Sequence, residues 1–93
     1  MVKVTEILEA KPYTVTCKIS DGTIKRIDVR PLLENHKHLD GIEKLYDEKV
    51  FSKAFVGNLG EIVWKDIITT YHQNVPTVWD YDISPEFVAE YTN

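Results

Sequence analysis

The chain has 93 residues, 43% hydrophobic and 28% charged, the length of one small domain and the composition of an ordinary globular one. Eleven basic residues against 15 acidic ones give a net charge of −4, which argues against non-specific binding to nucleic acid or to an anionic membrane. No apolar run approaches the ~20 residues of a membrane span, the N-terminus lacks a signal peptide's apolar stretch, and a lone cysteine has no internal disulfide partner. We therefore expect a single cytoplasmic domain over residues 1–93.

The first half reads as strands. "VKVTEIL" is rich in β-branched residues, and Ala10-Lys11-Pro12 reads as a turn. In "YTVTCKIS", Tyr13, Val15, Cys17 and Ile19 alternate with polar residues. Asp21-Gly22 then signals a hairpin, with "TIKRIDV" as the returning strand. A two-residue Asp-Gly loop would put Ile27 and Val29 on the face opposite Val15 and Cys17. A three-residue loop, Ser20-Asp21-Gly22, pairs Val15 with Ile27 and Tyr13 with Val29 and so collects the apolar residues on one face. The expectation is a type I turn closed by Gly22 in the left-handed region.

Pro31 suits the first turn of a short helix, with Leu32, Leu33 and Leu39 tucked under the sheet. In "GIEKLYDEKVFSKAFV", Ile42, Leu45 and Tyr46 form a helical stripe that Val50, Phe51, Ala54 and Phe55 can continue. Asp47 can instead cap a second short helix, with Val50 at its third position. Gly57 and Gly60 end the helical part.

"GEIVWKDIITT" and "PTVWDYDI" are both strand-like and flank "YHQNV", which predicts a second hairpin with a longer polar loop. The apolar phase slips from Ile62 and Trp64 to Ile67, which predicts a β-bulge near Lys65-Asp66. Trp79, Tyr81 and Ile83 alternate with Asp80 and Asp82. Ser84, Pro85 and Glu86 then supply an N-cap, a first helical residue and a favourable early charge, so "DISPEF" is a strand-to-helix junction. The resulting fold class is α+β: a curved antiparallel sheet of two hairpins, short helices packed on one face and a short C-terminal helix. Its core rests on Val15, Phe51 and Trp64.

An N-terminal strand, "SDG" at 20–22, "DVRPLL" at 28–33, "YDEKVFSKAFVGNLGEIVW" at 46–64 and "DISPEFV" at 82–88 occur in that order. This succession resembles the small prokaryotic family called "domain of unknown function 2442" along nearly the whole chain. The segment from Asp66 to Asp80 is longer than in the shorter members. The resemblance implies an α+β domain without established catalytic residues. It also implies a protein partner, since some members are encoded beside another small protein in a toxin–antitoxin-like arrangement. Other members are joined to helix-turn-helix domains, for which these 93 residues are expected to hold no room.

Few residue groups carry chemistry. His36, His38 and Asp40 in "HKHLD" offer two nitrogen ligands and one oxygen ligand to a metal, although the stretch reads more simply as a solvated loop. Cys17 is a nucleophile candidate whose place on an apolar strand phase fits a small core residue better. Asp80 and Asp82, two apart on one strand, could form an acid/base pair, yet ordinary exposed alternation explains them. Lys3, Lys18, Lys25, Arg26 and Arg30 could gather on the first hairpin without an aromatic platform for bases.

The sequence thus points to a non-enzymatic protein-interaction domain with no catalytic residue, metal or cofactor assigned. The alternatives are a small metal protein or enzyme using His36, His38 and Asp80/Asp82, and a DNA-associated accessory domain. A partner surface is expected on the second hairpin, through Tyr71, Val75 and Trp79, where a projecting edge could take a strand from another protein or from a second copy of the chain. Pro76 would blunt part of that edge. The competing expectation packs Trp79 inward beneath the terminal helix.

Overall fold

The structure, a computed structural model, describes residues 2–92. It is an α+β fold with two three-stranded antiparallel sheets in place of the expected single one. The first sheet has the order β1 (Val4–Lys11), β2 (Thr14–Ile19), β3 (Ile24–Asp28). The β1–β2 turn sits one step later than expected, at Pro12-Tyr13, because Lys11 already pairs with Thr14. The β2–β3 register is the one chosen by the apolar pattern. Val15 pairs with Ile27, the Val29 amide donates to the Tyr13 carbonyl, and Gly22 adopts φ +90. The Gly22 amide donates to the Ile19 carbonyl and closes the turn. One-sided burial decided this register: Val15, Cys17, Ile27 and Val29 are all fully buried.

Helix α1 (Arg30–Asn35) starts with Pro31 in its first turn and buries Leu33, with Leu32 and Leu39 partly buried beside it. The long helical stripe does not form. A 3-10 helix (Ile42–Tyr46) gives way to α2 (Glu48–Phe51), and the Asp47 side chain accepts from the Lys49 and Val50 amides between them. Asp47 is the reason for the break, since an extended N-cap satisfies amides that a continuous helix would bond internally. Phe55 therefore leaves the stripe for β4 (Phe55–Val56), an unforeseen short strand, and lies 43% exposed.

The second sheet has the order β4, β5 (Ile62–His72), β6 (Val75–Ile83). The sheets meet where the Val4 amide donates to the Gly60 carbonyl. Ser84 caps α3 (Pro85–Glu90) by accepting from the Phe87 amide, as the junction reading required. Tyr91 then returns to β3, where its hydroxyl accepts from the Asp28 amide and its carbonyl from Lys25.

Buried side chains from both sheets and the helices form one cluster. Trp64 lies at its centre, beside Phe51 at 5.4 Å and Tyr81 at 6.1 Å between ring centroids. Its indole N–H donates to the Phe51 carbonyl at 2.8 Å, which joins β5 to α2 and satisfies the buried indole. Truncation of the fully buried Phe51 to alanine should cost about 3–5 kcal/mol, a large share of a small domain's stability. Chemical denaturation measures this directly, and an unchanged midpoint would place Phe51 outside the core.

Candidate interaction surface

The second hairpin runs past the core. Its turn is tighter than the expected polar loop: Gln73 and Asn74 alone form it, at φ 50 and 67, and Tyr71, His72 and Val75 belong to the strands. Two consecutive left-handed residues give the primed turn that matches strand twist. Every residue from Thr70 to Asp80 is exposed. The 45 × 25 × 21 Å outline is what a hairpin carried beyond a small core produces.

The arm begins at the bulge. Trp64 pairs with Tyr81 and Ile68 with Trp79, so Lys65, Asp66 and Ile67 together face Asp80. Asp66 takes φ 57, and its amide donates to Asp80 Oδ1 at 2.9 Å. This detour lets Ile67 and Ile68 both remain buried, at 2% and 7% exposure. Beyond Ile68 the core ends. Trp79, paired with Ile68, sits at that rim and is 55% exposed, with its indole N–H donating to Thr70 Oγ1. The structure thus does not pack Trp79 beneath the terminal helix.

The root of the arm is held by the "HKHLD" loop. Tyr81 of β6 shares a 2.7 Å hydrogen bond with His36 Nδ1. The Asp40 carbonyl accepts from the Thr69 amide of β5 at 2.9 Å. Gly41, at φ 105, passes so close to the Ile67 carbonyl that any Cβ would collide with it. The loop brackets both strands just where the core stops supporting them.

The three expected contact residues are all exposed: Tyr71 at 65%, Val75 at 62% and Trp79 at 55%. They do not share one face. Tyr71 pairs with Pro76, and Thr69 with Val78, so alternation puts these four on one face. Val75 and Trp79 lie on the other, continuous with buried Tyr81 and Ile83. Val78, 51% exposed on Tyr71's face, is not among the expected contact residues. Counting back in steps of two from a two-residue turn would have found it, but a longer loop hides that phase.

The other candidates are dispersed or occupied. His36 is bonded to Tyr81, its ring 6.2 Å from that of His38, and among the described residues no three His, Cys, Asp or Glu side chains gather as a metal ligand set. Asp80 holds the bulge amide. Cys17 is fully buried, and burial pushes its thiol up against a smaller opposing pull from Lys25, which suppresses the reactive thiolate. Lys25 bonds the Tyr91 carbonyl and Arg30 lies 4.7 Å from the Tyr13 ring centre, so these two cations of the expected patch have local tasks. No described helix is long and apolar enough to cross a membrane. The chain matches no family model, no curated protein and no solved structure.

Burial, and secondarily the Asp82 charge, push the Tyr81 hydroxyl up to about 12 from 10.0. The fold favours the protonated form, so the native state keeps this proton after an unfolded tyrosine has lost its own. Stability from Tyr81 is therefore fully present below pH 10 and is lost as pH rises towards about 12. Ultraviolet titration should show a late tyrosine ionisation, and Tyr81→Phe should remove that step.

Proposed function

We propose that this chain is a protein-interaction domain that works through its β5–β6 arm rather than through catalysis. The observation that carries the reading is the unbroken exposure of Thr70–Asp80 within a regular hairpin that displays Tyr71, Val75, Val78 and Trp79. A two-stranded ribbon gains little from water alone, whereas large rings and main-chain edges are what protein contacts use. Charge supports it too, since no Asp, Glu, Lys or Arg occurs from Ile67 to Trp79 in a chain that is 28% charged. Such an arm suits neither phosphate backbones nor anionic lipid.

In this reading the two sheets, joined at Val4 and Gly60, make one curved layer with the helices on one side and the arm as its extension. The resemblance to domain of unknown function 2442 fits a cytoplasmic role beside a small neighbouring protein, in a toxin–antitoxin-like pair.

A Tyr71→Ala, Val75→Ser double variant tests the reading, because it trims both faces of the arm at positions that contribute no core burial. Its melting temperature should stay close to the parent's. Its binding to a partner isolated with the parent chain should weaken at least ~10-fold, measured with both proteins purified. Unchanged affinity in a folded variant would remove the arm from the interaction.

A further inference from the structure

We propose that the outer edge of β6 pairs with the same edge of a second copy of this chain, antiparallel and centred on Val78. The inference rests on the arm being a protein-binding element and names its occupant.

The edges of the two sheets are not equivalent. The outer side of β3 receives Tyr91 at the Asp28 amide. The outer side of β5 is taken by β4 and, at Thr69, by the Asp40 carbonyl. β6 pairs with β5 alone. A two-residue turn closes on a hydrogen-bonded pair, here His72 with Val75. Alternation then turns the main chain of Val75, Thr77 and Trp79 towards β5, and that of Pro76, Val78 and Asp80 outwards. The Thr69 amide, which pairs opposite Val78, indeed points away from β6. Pro76 therefore stands where its missing N–H costs the hairpin nothing.

This outward pattern is self-complementary. With Val78 opposite the partner copy's Val78, each Val78 amide donates to the other Val78 carbonyl. Each Asp80 amide meets the other copy's Pro76 carbonyl, an acceptor that needs no donor beside it. Four main-chain hydrogen bonds form, and the one residue without an N–H falls at the end of the ladder. Trp79 faces the other copy's Thr77 and lies diagonal to the other Trp79. The two Asp80 side chains stay four positions apart, so no like charges sit opposite each other.

The self-matching ladder selects a second copy as the occupant, and charge permits it. Each chain carries a net charge of −4, so two copies repel each other overall. The stretch from Ile67 to Trp79 is uncharged, and it lacks the lysines and inward charges that usually protect an edge strand. Pairing here lets two acidic molecules meet on neutral ground. The strand and its flanking side chains bury several hundred Å² per copy, on the order of a weak dimer with Kd about 10–100 µM.

Sedimentation velocity of the full chain from about 5 to 500 µM tests the pairing. The expected result is a monomer–dimer transition in that range, with Trp79 emission shifting blue at the same midpoint while buried Trp64 stays constant. Val78→Lys sets two cations opposite each other and should weaken association on the order of 30-fold with the fold intact. A second variant, Val78→Cys, puts two thiols about 5.5 Å apart at Cα, within disulfide reach. Glutathione disulfide should oxidise them to one interchain bond, the two electrons and two protons leaving as two molecules of glutathione. Lys18→Cys, on the far sheet, should not cross-link this way. If Val78→Lys does not fold, the cross-link decides.

A chain that stays monomeric throughout, or a dimer indifferent to Val78→Lys and without the Val78→Cys cross-link, overturns the proposal. A monomer whose purified partner is lost with Tyr71→Ala, Val75→Ser overturns this pairing alone and leaves the interaction reading standing.

Discussion

The indole of Trp64 is the fixed point of this molecule. A fully buried N–H must find an acceptor, and the Phe51 carbonyl at 2.8 Å supplies it from the end of a four-residue helix. So short a helix has no stability of its own. It persists because Asp47 satisfies its first amides, Phe51 is wedged against Trp64 and Tyr13, and its last turn holds the indole. Loss of any one of these would free the other two. The same ring packs against Tyr81 on the far strand, so the helical connection and the second hairpin are ordered by one side chain.

From Trp64 the chain must do two incompatible things. It must keep Ile67 and Ile68 inside, and it must carry β5 out beyond the core. A strand of strict period two cannot bury two consecutive residues against one layer. The bulge resolves the conflict by adding residues on β5 opposite Asp80, with Asp66 in the left-handed region and its amide satisfied by the Asp80 carboxylate. A hairpin leaving the core at a bulge would still be free to swing. The His36–Gly41 loop restrains it on both strands, through Tyr81 and Thr69, and the absent side chain of Gly41 permits the approach.

This division explains which parts of the sequence were legible. The first hairpin register, the bulge, the Asp47 cap and the Ser84 junction were all readable because each is decided within about ten residues by alternation or by a capping side chain. The split into two sheets was not, since β4 has only Phe55 and Val56 and exists through pairing with Ile62 and Val63. The tight turn was hidden because Gln73-Asn74 lacks the glycine that usually announces a primed turn. The "HKHLD" stretch suggested ligands, but its task depends on Tyr81 and Thr69, distant in sequence. The prominence of Tyr71, Val75 and Trp79 was visible; their division between two faces required the turn phase.

Folding stability alone gives no reason for the arm's length. From Thr70 to Asp80 the side chains bury too little apolar area to offset the entropy of ordering them, and an isolated two-stranded ribbon is marginal in water. Shortening the hairpin to its last buried pair would keep Trp64, Ile67, Ile68 and Tyr81 where they are. Anchoring the root of the longer arm nevertheless takes a bulge in an unfavourable conformation, a glycine at positive φ and a hydrogen bond from a distant loop. A fixed root beneath an exposed, uncharged, ring-bearing ribbon does lower the entropy lost when something docks on it. The same features that make the arm a poor investment for the isolated chain therefore make it a good surface for a contact outside it.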